Sequence, residues 1–127
     1  MTNLSLRSSL KKRVRNFFKN FNLHNWERCY QYLDPMLRAH ARITPEQYAS
    51  SLKLFEKHYG TIEIHYMNAN LYREVKTKKS QIGSFAYVVI LWKDKWNSYH
   101  LFRERWVEDA NIWYTRVVGY VIHEKNK

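Results

Sequence analysis

Residues 43–60, ITPEQYASSLKLFEKHYG, contain the clearest local signal in the chain. Thr44 is placed to cap a helix, Pro45 suits the first helical position, and Gln47 completes a capping box. Gly60 follows as a favourable helix end. The apolar residues between these ends recur on one helical face, and they are Tyr48, Leu52, Phe55 and Tyr59. The stretch therefore predicts an amphipathic helix whose apolar stripe covers another layer of the fold.

The hydrophobic period differs on the two sides of this helix. Before it, an apolar stripe predicts a helix over Leu4–Phe21, and a second helical segment capped by Asn25 ends at Asp34 and Pro35. After Gly60 the period falls to about two residues, which is typical of strands. The predicted strands are Thr61–Val75 with a bulge or bend near Asn68–Asn70, Ile82–Trp92 with both faces covered, Trp96–Glu108, and Ile112–His123. We therefore predict an α+β fold in which N-terminal helices pack on a strongly curved antiparallel sheet of about four long strands.

The connection between the last two predicted strands can be specified further. Asp109, Ala110 and Asn111 suit a three-residue hairpin loop whose last residue is left-handed, a conformation that asparagine tolerates. This loop would place chemically matched residues opposite each other, namely Trp106 and Tyr114, Glu104 and Arg116, and Phe102 and Val118. The register thus predicts a cross-strand ion pair between Glu104 and Arg116.

Length and composition indicate one globular domain over residues 1–127. Aromatic residues make up 17% of the chain, enough to fill a core or line a pocket. Cys29 is the only cysteine, which excludes an internal disulfide and favours a buried thiol in a reducing, cytoplasmic location. The six histidines show no metal-ligand spacing and no cofactor motif is present, so we expect neither a metal nor a cofactor.

The chain is strongly basic, with a net charge of +11 when histidine is neutral. The predicted basic patch comprises Arg7, Lys11, Lys12, Arg13, Arg15, Lys19, Lys76, Lys78 and Lys79. It predicts attraction to a polyanion or an acidic protein, although no recognised nucleic-acid motif accompanies it. The N-terminal segment has two interpretations, a basic surface helix or a mitochondrial targeting segment. No apolar run reaches the ~18 residues of a membrane span.

Two further stretches carry a family resemblance. NFNLHNWERCYQYLDPMLRA, residues 20–39, contains the pattern W-x-x-x-Y-x-x-L-D-P, and ERWVEDANIWYTRVVGYV, residues 104–121, has a tryptophan strand, a tight turn and Trp-Tyr. Together with residues 43–60, they resemble the nuclear transport factor 2-like superfamily, which includes ketosteroid isomerase-like and polyketide cyclase-like proteins. The resemblance implies a cone-shaped α+β barrel, often with a pocket at its open end. It also implies a homodimer formed through the outer face of the sheet, where an exposed Trp113 could contribute.

The third predicted strand has one inward face, which begins at Trp96 and includes His100 and Glu104. The predicted pocket-lining residues are Tyr30, Tyr66, His100, Phe102, Glu104, Trp106, Tyr114, Arg116 and Tyr120. Burial shifts the pKa values of ionisable groups, so His100 and Glu104 are candidates for acid–base catalysis. The alternative is structural, with Glu104 paired to Arg116 and His100 hydrogen-bonded within the core.

The superfamily contains isomerases, dehydratases and protein-binding modules, so the resemblance alone does not select a function. Its catalytic members place an aspartate base or an aspartate–histidine pair inside the cone, and the pattern identifies no inward aspartate here. Asp34 is the nearest analogue, but it precedes Pro35 at a helix end, where capping is the usual role.

Three functions stay open. The first, which we favour, is a non-catalytic binding module with an aromatic-lined pocket for a small apolar or aromatic ligand. The second is an isomerase- or dehydratase-type enzyme that uses His100 or Glu104. The third is an interaction protein that binds nucleic acid or an acidic partner through its basic N-terminal helix.

Overall fold

In the part of the chain that the structure describes, four helices precede four strands. The structure is a computed structural model that describes residues 3–76 and 81–123, with side chains within 5–72 and 84–123. The helices are α1 (Asn3–Asn22), α2 (Trp26–Gln31), α3 (Pro35–His40) and α4 (Pro45–Tyr59). The strands are β1 (Glu63–Lys76), β2 (Gln81–Lys93), β3 (Tyr99–Asp109) and β4 (Ile112–Thr115). The predicted α+β class, with helices before strands, is confirmed.

Helix α1 packs on the sheet through the predicted apolar stripe, whose fully buried members are Leu10, Val14, Phe17 and Phe21. Phe17 meets Trp106 edge to face, with 6.1 Å between ring centroids. Phe18 stacks 6.2 Å from Phe102. These contacts place α1 on the inner face of the sheet. Among the described helices, none is both long enough and apolar enough to cross a membrane.

The segment after α1 contains two short helices. The predicted side-chain cap at Asn25 does not form, and Asn25 Nδ2 donates to Asn20 Oδ1 at 3.2 Å. Helix α2 ends at Gln31, three residues before the end predicted at Asp34 and Pro35, and these two residues begin α3 instead. The Asp34 carboxylate caps α3 by accepting the backbone N–H of Met36 at 3.2 Å.

Helix α4 forms both hydrogen bonds of the predicted capping box. The backbone N–H of Gln47 donates to Thr44 Oγ1 at 3.1 Å, and the backbone N–H of Thr44 donates to Gln47 Oε1 at 3.1 Å. The four residues of its apolar stripe are buried. Gly60 follows the helix with a φ of +83°, a conformation that favours glycine.

The strands form one antiparallel sheet in the order β1-β2-β3-β4, and this sheet does not close into a barrel within the described residues. The bulge in β1 falls between Ile64 and Tyr66, so of the two alternatives predicted near Asn68–Asn70, a bulge or a bend, the bulge is wrong. The physical reason is that both asparagines face outward, where polar side chains fit without interrupting the ladder.

The helices cover only one face of the sheet. The inward side chains of β2 are buried, and they are Ala86, Val88, Ile90 and Trp92. The side chains that alternate with them are partly exposed, and they are Phe85, Tyr87, Val89 and Leu91. The prediction that this strand is covered on both faces is therefore wrong, because no second layer of the described chain lies on its outer side.

The β2–β3 connection is longer than predicted. Strand β3 begins at Tyr99, so Trp96 lies in the turn and is 60% exposed instead of facing inward. Asn97 in the same turn has a φ of +63°, which ends any extended conformation at that point.

The β3–β4 hairpin has a two-residue loop instead of the predicted three-residue loop. Asp109 pairs with Ile112, and Ala110 and Asn111 both have positive φ values, +50° and +67°. This type I′ geometry is favoured because its twist matches that of the flanking strands.

The shorter loop moves the register of β4 by one residue. Trp106 lies opposite Thr115, not opposite Tyr114. Because a slip of one residue exchanges the two faces of a strand, Trp113 points inward and is 1% exposed. The expectation that an exposed Trp113 contributes to a dimer is therefore wrong.

Strand β4 ends at Thr115, and residues 116–123 are described without regular secondary structure, which corrects the predicted strand Ile112–His123. The edge of β4 is occupied by the α2–α3 junction, since the backbone N–H of Thr115 donates to Tyr32 O at 2.7 Å and that of Asp34 donates to Thr115 O at 2.9 Å. The C-terminal segment then packs on α4, where the backbone N–H of His123 donates to Tyr59 Oη at 2.9 Å.

Candidate functional site

A small cleft lies between the end of α4, the inner face of β2 and β3, and the C-terminal segment. Its volume is about 210 Å³, and its walls include Phe55, Tyr59, Trp92, His100, Phe102 and Tyr120. This is smaller than the ~300 Å³ at which pockets for small molecules usually begin. Large side chains such as Phe17 and Trp106 fill the interior beside it, so the wide pocket expected of a cone is absent from the described residues.

The rings of the cleft hold one another in place. His100 stacks on Trp92 with 4.5 Å between ring centroids, and it meets Tyr59 edge to face at 5.1 Å. Phe102 stacks on Tyr120 at 4.7 Å. Trp92 Nε1 is buried and has no hydrogen-bond partner within the described part of the chain. The cleft wall therefore combines packed rings with one unsatisfied donor.

An aspartate–histidine pair supports this wall, and the sequence pattern did not reveal it. Asp94 Oδ2 lies 2.7 Å from His100 Nε2, while Asp94 Oδ1 accepts the backbone N–H groups of Trp96 at 2.8 Å and Ser98 at 3.0 Å. Burial raises the pKa of Asp94, but these hydrogen bonds outweigh burial and hold the pKa below its usual range. The sequence did contain one signal, because an aspartate that opens a turn commonly binds backbone N–H groups two residues later.

Glu104 lies in the core and is 2% exposed. Its carboxylate accepts the hydroxyl of Tyr120 at 2.7 Å and the indole N–H of Trp106 at 3.1 Å. Burial raises the pKa of Glu104 to about 7, although both hydrogen bonds act to lower it. Glu104 and His100 are four residues apart on one strand, roughly 13 Å, so they do not form one catalytic unit.

The chain matches no family model, no curated protein and no solved structure at a significant level. The nuclear transport factor 2-like resemblance therefore stays a prediction. The function of the cleft is therefore inferred from its geometry alone.

Three of the predicted pocket residues line the cleft, and they are His100, Phe102 and Tyr120. Glu104 and Trp106 are buried in the core. Tyr66 lies on the opposite face of the sheet and is 58% exposed.

Tyr30, Tyr114 and Arg116, also predicted to line the pocket, lie outside the cleft. Tyr30 donates its hydroxyl to Ile43 O at 2.7 Å, which ties α2 to the chain before α4. Tyr114 lines a separate surface groove beside α1. The positions predicted for Tyr114 and Arg116 failed because they depended on the register of the final hairpin.

Arg116 does not form the predicted ion pair with Glu104. Its guanidinium donates to Asp34 Oδ2 at 2.7 Å. Asp34 thus caps α3 and holds the edge of β4, and its side chain is occupied by these two tasks. This geometry gives Asp34 a structural role.

The predicted basic patch is divided between free and structural side chains. Its exposed members on α1 are Arg7, Lys12, Arg15 and Lys19, and Lys11 is half-buried. Arg13 Nε donates to Trp113 O at 2.9 Å, so this arginine connects α1 to β4. Lys76 ends β1 but its side chain is outside the described residues, as are Lys78 and Lys79 entirely.

The described residues contain no cluster of three or more histidine, cysteine, aspartate or glutamate side chains that could hold a metal ion. Cys29 is fully buried, and burial raises the pKa of its thiol to about 12. A thiol with so high a pKa is a poor nucleophile at neutral pH. The position of Cys29 is that of a packing residue.

Proposed function

We propose that the protein is a non-catalytic binding module whose cleft accepts one small aromatic ligand. The observation that carries the proposal is the 210 Å³ cleft, walled by rings that include Tyr59, Trp92 and Phe102. An apolar cavity of about 150 Å³ holds benzene, so the cleft suits a single ring with a short substituent. Ring surfaces also favour offset-stacked and edge-to-face contacts with such a ligand.

Two polar groups in the wall would orient the ligand. His100 has Nε2 engaged by Asp94 at 2.7 Å, which leaves Nδ1 for a ligand group. The indole N–H of Trp92 is unsatisfied within the described residues but buried, so a ligand acceptor would reach it only after a neighbouring side chain moved, and would then remove the cost of that donor. A ring that carries a hydroxyl or carbonyl oxygen therefore fits better than a plain hydrocarbon.

Titration with phenol tests this proposal, with binding followed by changes in protein NMR chemical shifts. Val121 lines the cleft and is 69% exposed, so Val121→Trp would fill the mouth without disturbing the core. Val118→Trp is the matched control, because Val118 is 48% exposed on the same segment but does not line the cleft. We expect Val121→Trp to weaken phenol binding roughly tenfold or more, about 1.4 kcal/mol, and Val118→Trp to leave it unchanged. Equal affinities in the two variants would contradict the proposal.

A second candidate, an acid–base enzyme, is favoured by the 2.7 Å contact between Asp94 and His100. A carboxylate that accepts one imidazole N–H orients the ring and leaves the other nitrogen basic, which is the arrangement of a general base. The basic nitrogen would accept a proton from the carbon next to a carbonyl group, as in isomerases and dehydratases. In this second candidate function, the carboxylate of the catalytic site is Asp94 and not Glu104.

Acetophenone separates the two functions, because it is a single ring whose methyl protons exchange with solvent deuterium. A catalytic His100 would accelerate this exchange, and His100→Gln would remove roughly 10²- to 10⁴-fold of the acceleration. If acetophenone binds and its exchange is no faster than in buffer, the enzyme candidate is discarded and the binding module stands.

We also propose that the chain belongs to the nuclear transport factor 2-like superfamily and that its sheet curves into the corresponding cone. Helices before one antiparallel sheet, packed on a single face, support this proposal. A cytoplasmic location is a further proposal, supported by the buried free thiol of Cys29.

A further inference from the structure

The outer face of the sheet, opposite the helices, displays exposed tyrosines on its outward strand positions. Tyr66, Tyr99 and Tyr72 are 58%, 57% and 47% exposed. Phe85 and Tyr87 of the neighbouring strand are partly exposed on the same face. Large apolar patches on a surface mark sites of interaction, and this one is independent of the cleft on the inner face.

The rings of the outer face contact one another. Tyr72 stacks on Phe85 with 5.3 Å between centroids and an angle of 17° between ring planes. Tyr72 also meets Tyr87 edge to face at 5.9 Å. Farther along the sheet, Tyr99 meets His65 edge to face at 5.2 Å. The face therefore offers ordered ring surfaces at both ends.

Arginines accompany these rings. The Arg103 guanidinium lies 5.1 Å from the centroid of the Tyr87 ring, and that of Arg105 lies 4.5 Å from the centroid of the Phe85 ring. A guanidinium placed over a ring can stack on a further planar group and still donate hydrogen bonds to an anion. The platform thus combines ring faces with donors suited to phosphate.

The central part of the outer face carries no acidic side chain, and the acids of this face whose side chains are described, Glu63 and Asp109, lie at its ends. Outward positions within residues 66–72, 85–93 and 99–107 include no aspartate or glutamate. Glu63, at the end of β1, lies 3.1 Å from His65 and 3.7 Å from Lys93. An anionic partner would therefore meet no acidic side chain across these positions.

We propose that the outer face binds single-stranded nucleic acid. Unpaired bases would stack on Tyr66, Tyr72 and Tyr99, because every base has a face that stacks on an aromatic ring. The guanidinium of Arg103 would contact the phosphate backbone. The net charge of +11 adds long-range attraction to any polynucleotide.

Two other occupants match the outer face less well. A second copy of the chain would bring Arg103 of both copies into one interface, where the central outward positions supply no acid and only Glu63 and Asp109 at the ends of the described face are available. A double helix keeps its bases stacked inside, where the rings of a sheet cannot reach their faces. Single-stranded nucleic acid fits better, because its unpaired bases can stack on the exposed rings while its phosphates contact the neighbouring arginines.

Fluorescence anisotropy with labelled oligodeoxyuridylate and oligouridylate of about 16 nucleotides, which differ only in the sugar, tests the proposal, since this length covers a typical single-strand site. A duplex of the same length is the third probe. We expect both single strands to bind more tightly than the duplex, and the tighter of the two single strands assigns the preferred sugar. A duplex that binds as well as the single strands would overturn the proposal, because charge alone would then explain the binding.

Substitutions on the outer face distinguish stacking from charge. Tyr99→Ala should weaken single-strand binding roughly 5- to 100-fold, whereas Tyr99→Phe, which keeps the ring, should retain it. Arg103→Gln should reduce the slope of log affinity against log salt concentration by about 0.7. Arg15→Gln is the matched control, because it removes the same charge from an exposed position on α1, which packs on the opposite face.

Three results would overturn the proposal. In the first, Arg15→Gln weakens binding as much as Arg103→Gln, which would place the contact on the basic helix. In the second, Tyr99→Ala binds as tightly as the wild type while its circular dichroism and melting are unchanged. In the third, sedimentation shows a dimer at micromolar concentration that Tyr99→Ala dissociates, which would assign the face to a second copy of the chain.

Discussion

Glu104 is a carboxyl group surrounded by aromatic side chains, and its environment follows from two neighbours. The hydroxyl of Tyr120 and the indole of Trp106 donate to it at 2.7 Å and 3.1 Å. The alternation of β3 correctly predicts that Glu104 faces inward. Its partner could not be predicted in the same way, because Tyr120 reaches it from a segment without regular structure.

The pH dependence of stability should report the burial of Glu104. The folded-state pKa is about 7, above its ordinary value of 4.5, so the folded protein holds this proton more strongly than the unfolded chain does. The contribution to stability is fully present below pH 4.5 and is lost as the pH rises through 7, roughly 3 kcal/mol in total. Glu104→Gln keeps the volume but removes the titration. We therefore expect the advantage of the wild type over this variant, measured by urea unfolding, to shrink by that amount between pH 4.5 and 8.

Glu108→Gln is the control for this experiment, since Glu108 lies on the same strand with its side chain half-exposed. It should leave the pH dependence of the wild type intact. If Glu104→Gln also retains that dependence, other groups cause the change in stability, and Glu104 does not contribute through a raised pKa.

The secondary-structure elements differ in how far neighbouring residues alone determine their geometry. The capping box of α4 joins Thr44 and Gln47, three residues apart, and it forms as predicted. The β3–β4 hairpin depends on a choice between two loop lengths that both tolerate Asp109, Ala110 and Asn111. The two-residue loop prevails because type I′ turns match the strand twist, even though it places an alanine at a positive φ.

Replacing Ala110 with a residue that tolerates a positive φ should stabilise the hairpin. Ala110 has a φ of +50°, a conformation that costs an ordinary residue about 1–2 kcal/mol and that asparagine adopts more easily. We expect Ala110→Asn to raise the free energy of unfolding by about 0.5–1 kcal/mol in chemical denaturation. The control Ala39→Asn, at an exposed position of α3, should lower it slightly because asparagine is a weaker helix former. An Ala110→Asn variant no more stable than the wild type would argue against the two-residue loop.

At the scale of the whole molecule, Phe55 connects the helical layer to the sheet and to the C-terminal segment. Its ring centroid lies 5.8 Å from that of Trp92 on β2, 5.9 Å from Phe102 on β3 and 5.2 Å from Tyr120. Phe55 is also a wall of the cleft. The same ring thus supports both stability and the proposed binding site.

Truncation of Phe55 should be among the costly substitutions. We expect Phe55→Ala to lower the free energy of unfolding by about 3–5 kcal/mol, because it removes a buried ring and leaves a cavity among its neighbours. Leu54→Ala is the adjacent control, since Leu54 is 60% exposed, and it should change stability by about 0.5 kcal/mol or less. Comparable losses in urea unfolding of the two variants would contradict the assigned orientation of α4.

Local pattern predicted more of the fold than of the candidate site. The period of β3 placed His100 and Phe102 on the inner face, where they line the cleft. Asp94 was missed because its role arises only when a turn brings its carboxylate to 2.7 Å from His100. The sequence also did not predict that the outward aromatic residues form one surface, because they come together only when three strands pair in the correct register.

The sequence by itself determined the α+β order, the capped helix α4 and the inward side of β3. These features depend on hydrogen bonds and periodicities among residues within a few positions of one another. Only the tertiary structure decided that Arg116 pairs with Asp34, 82 positions away, instead of with Glu104. The physical reason is that a strand alternates its faces at every residue, so one residue of loop length exchanges the partners of every side chain beyond it.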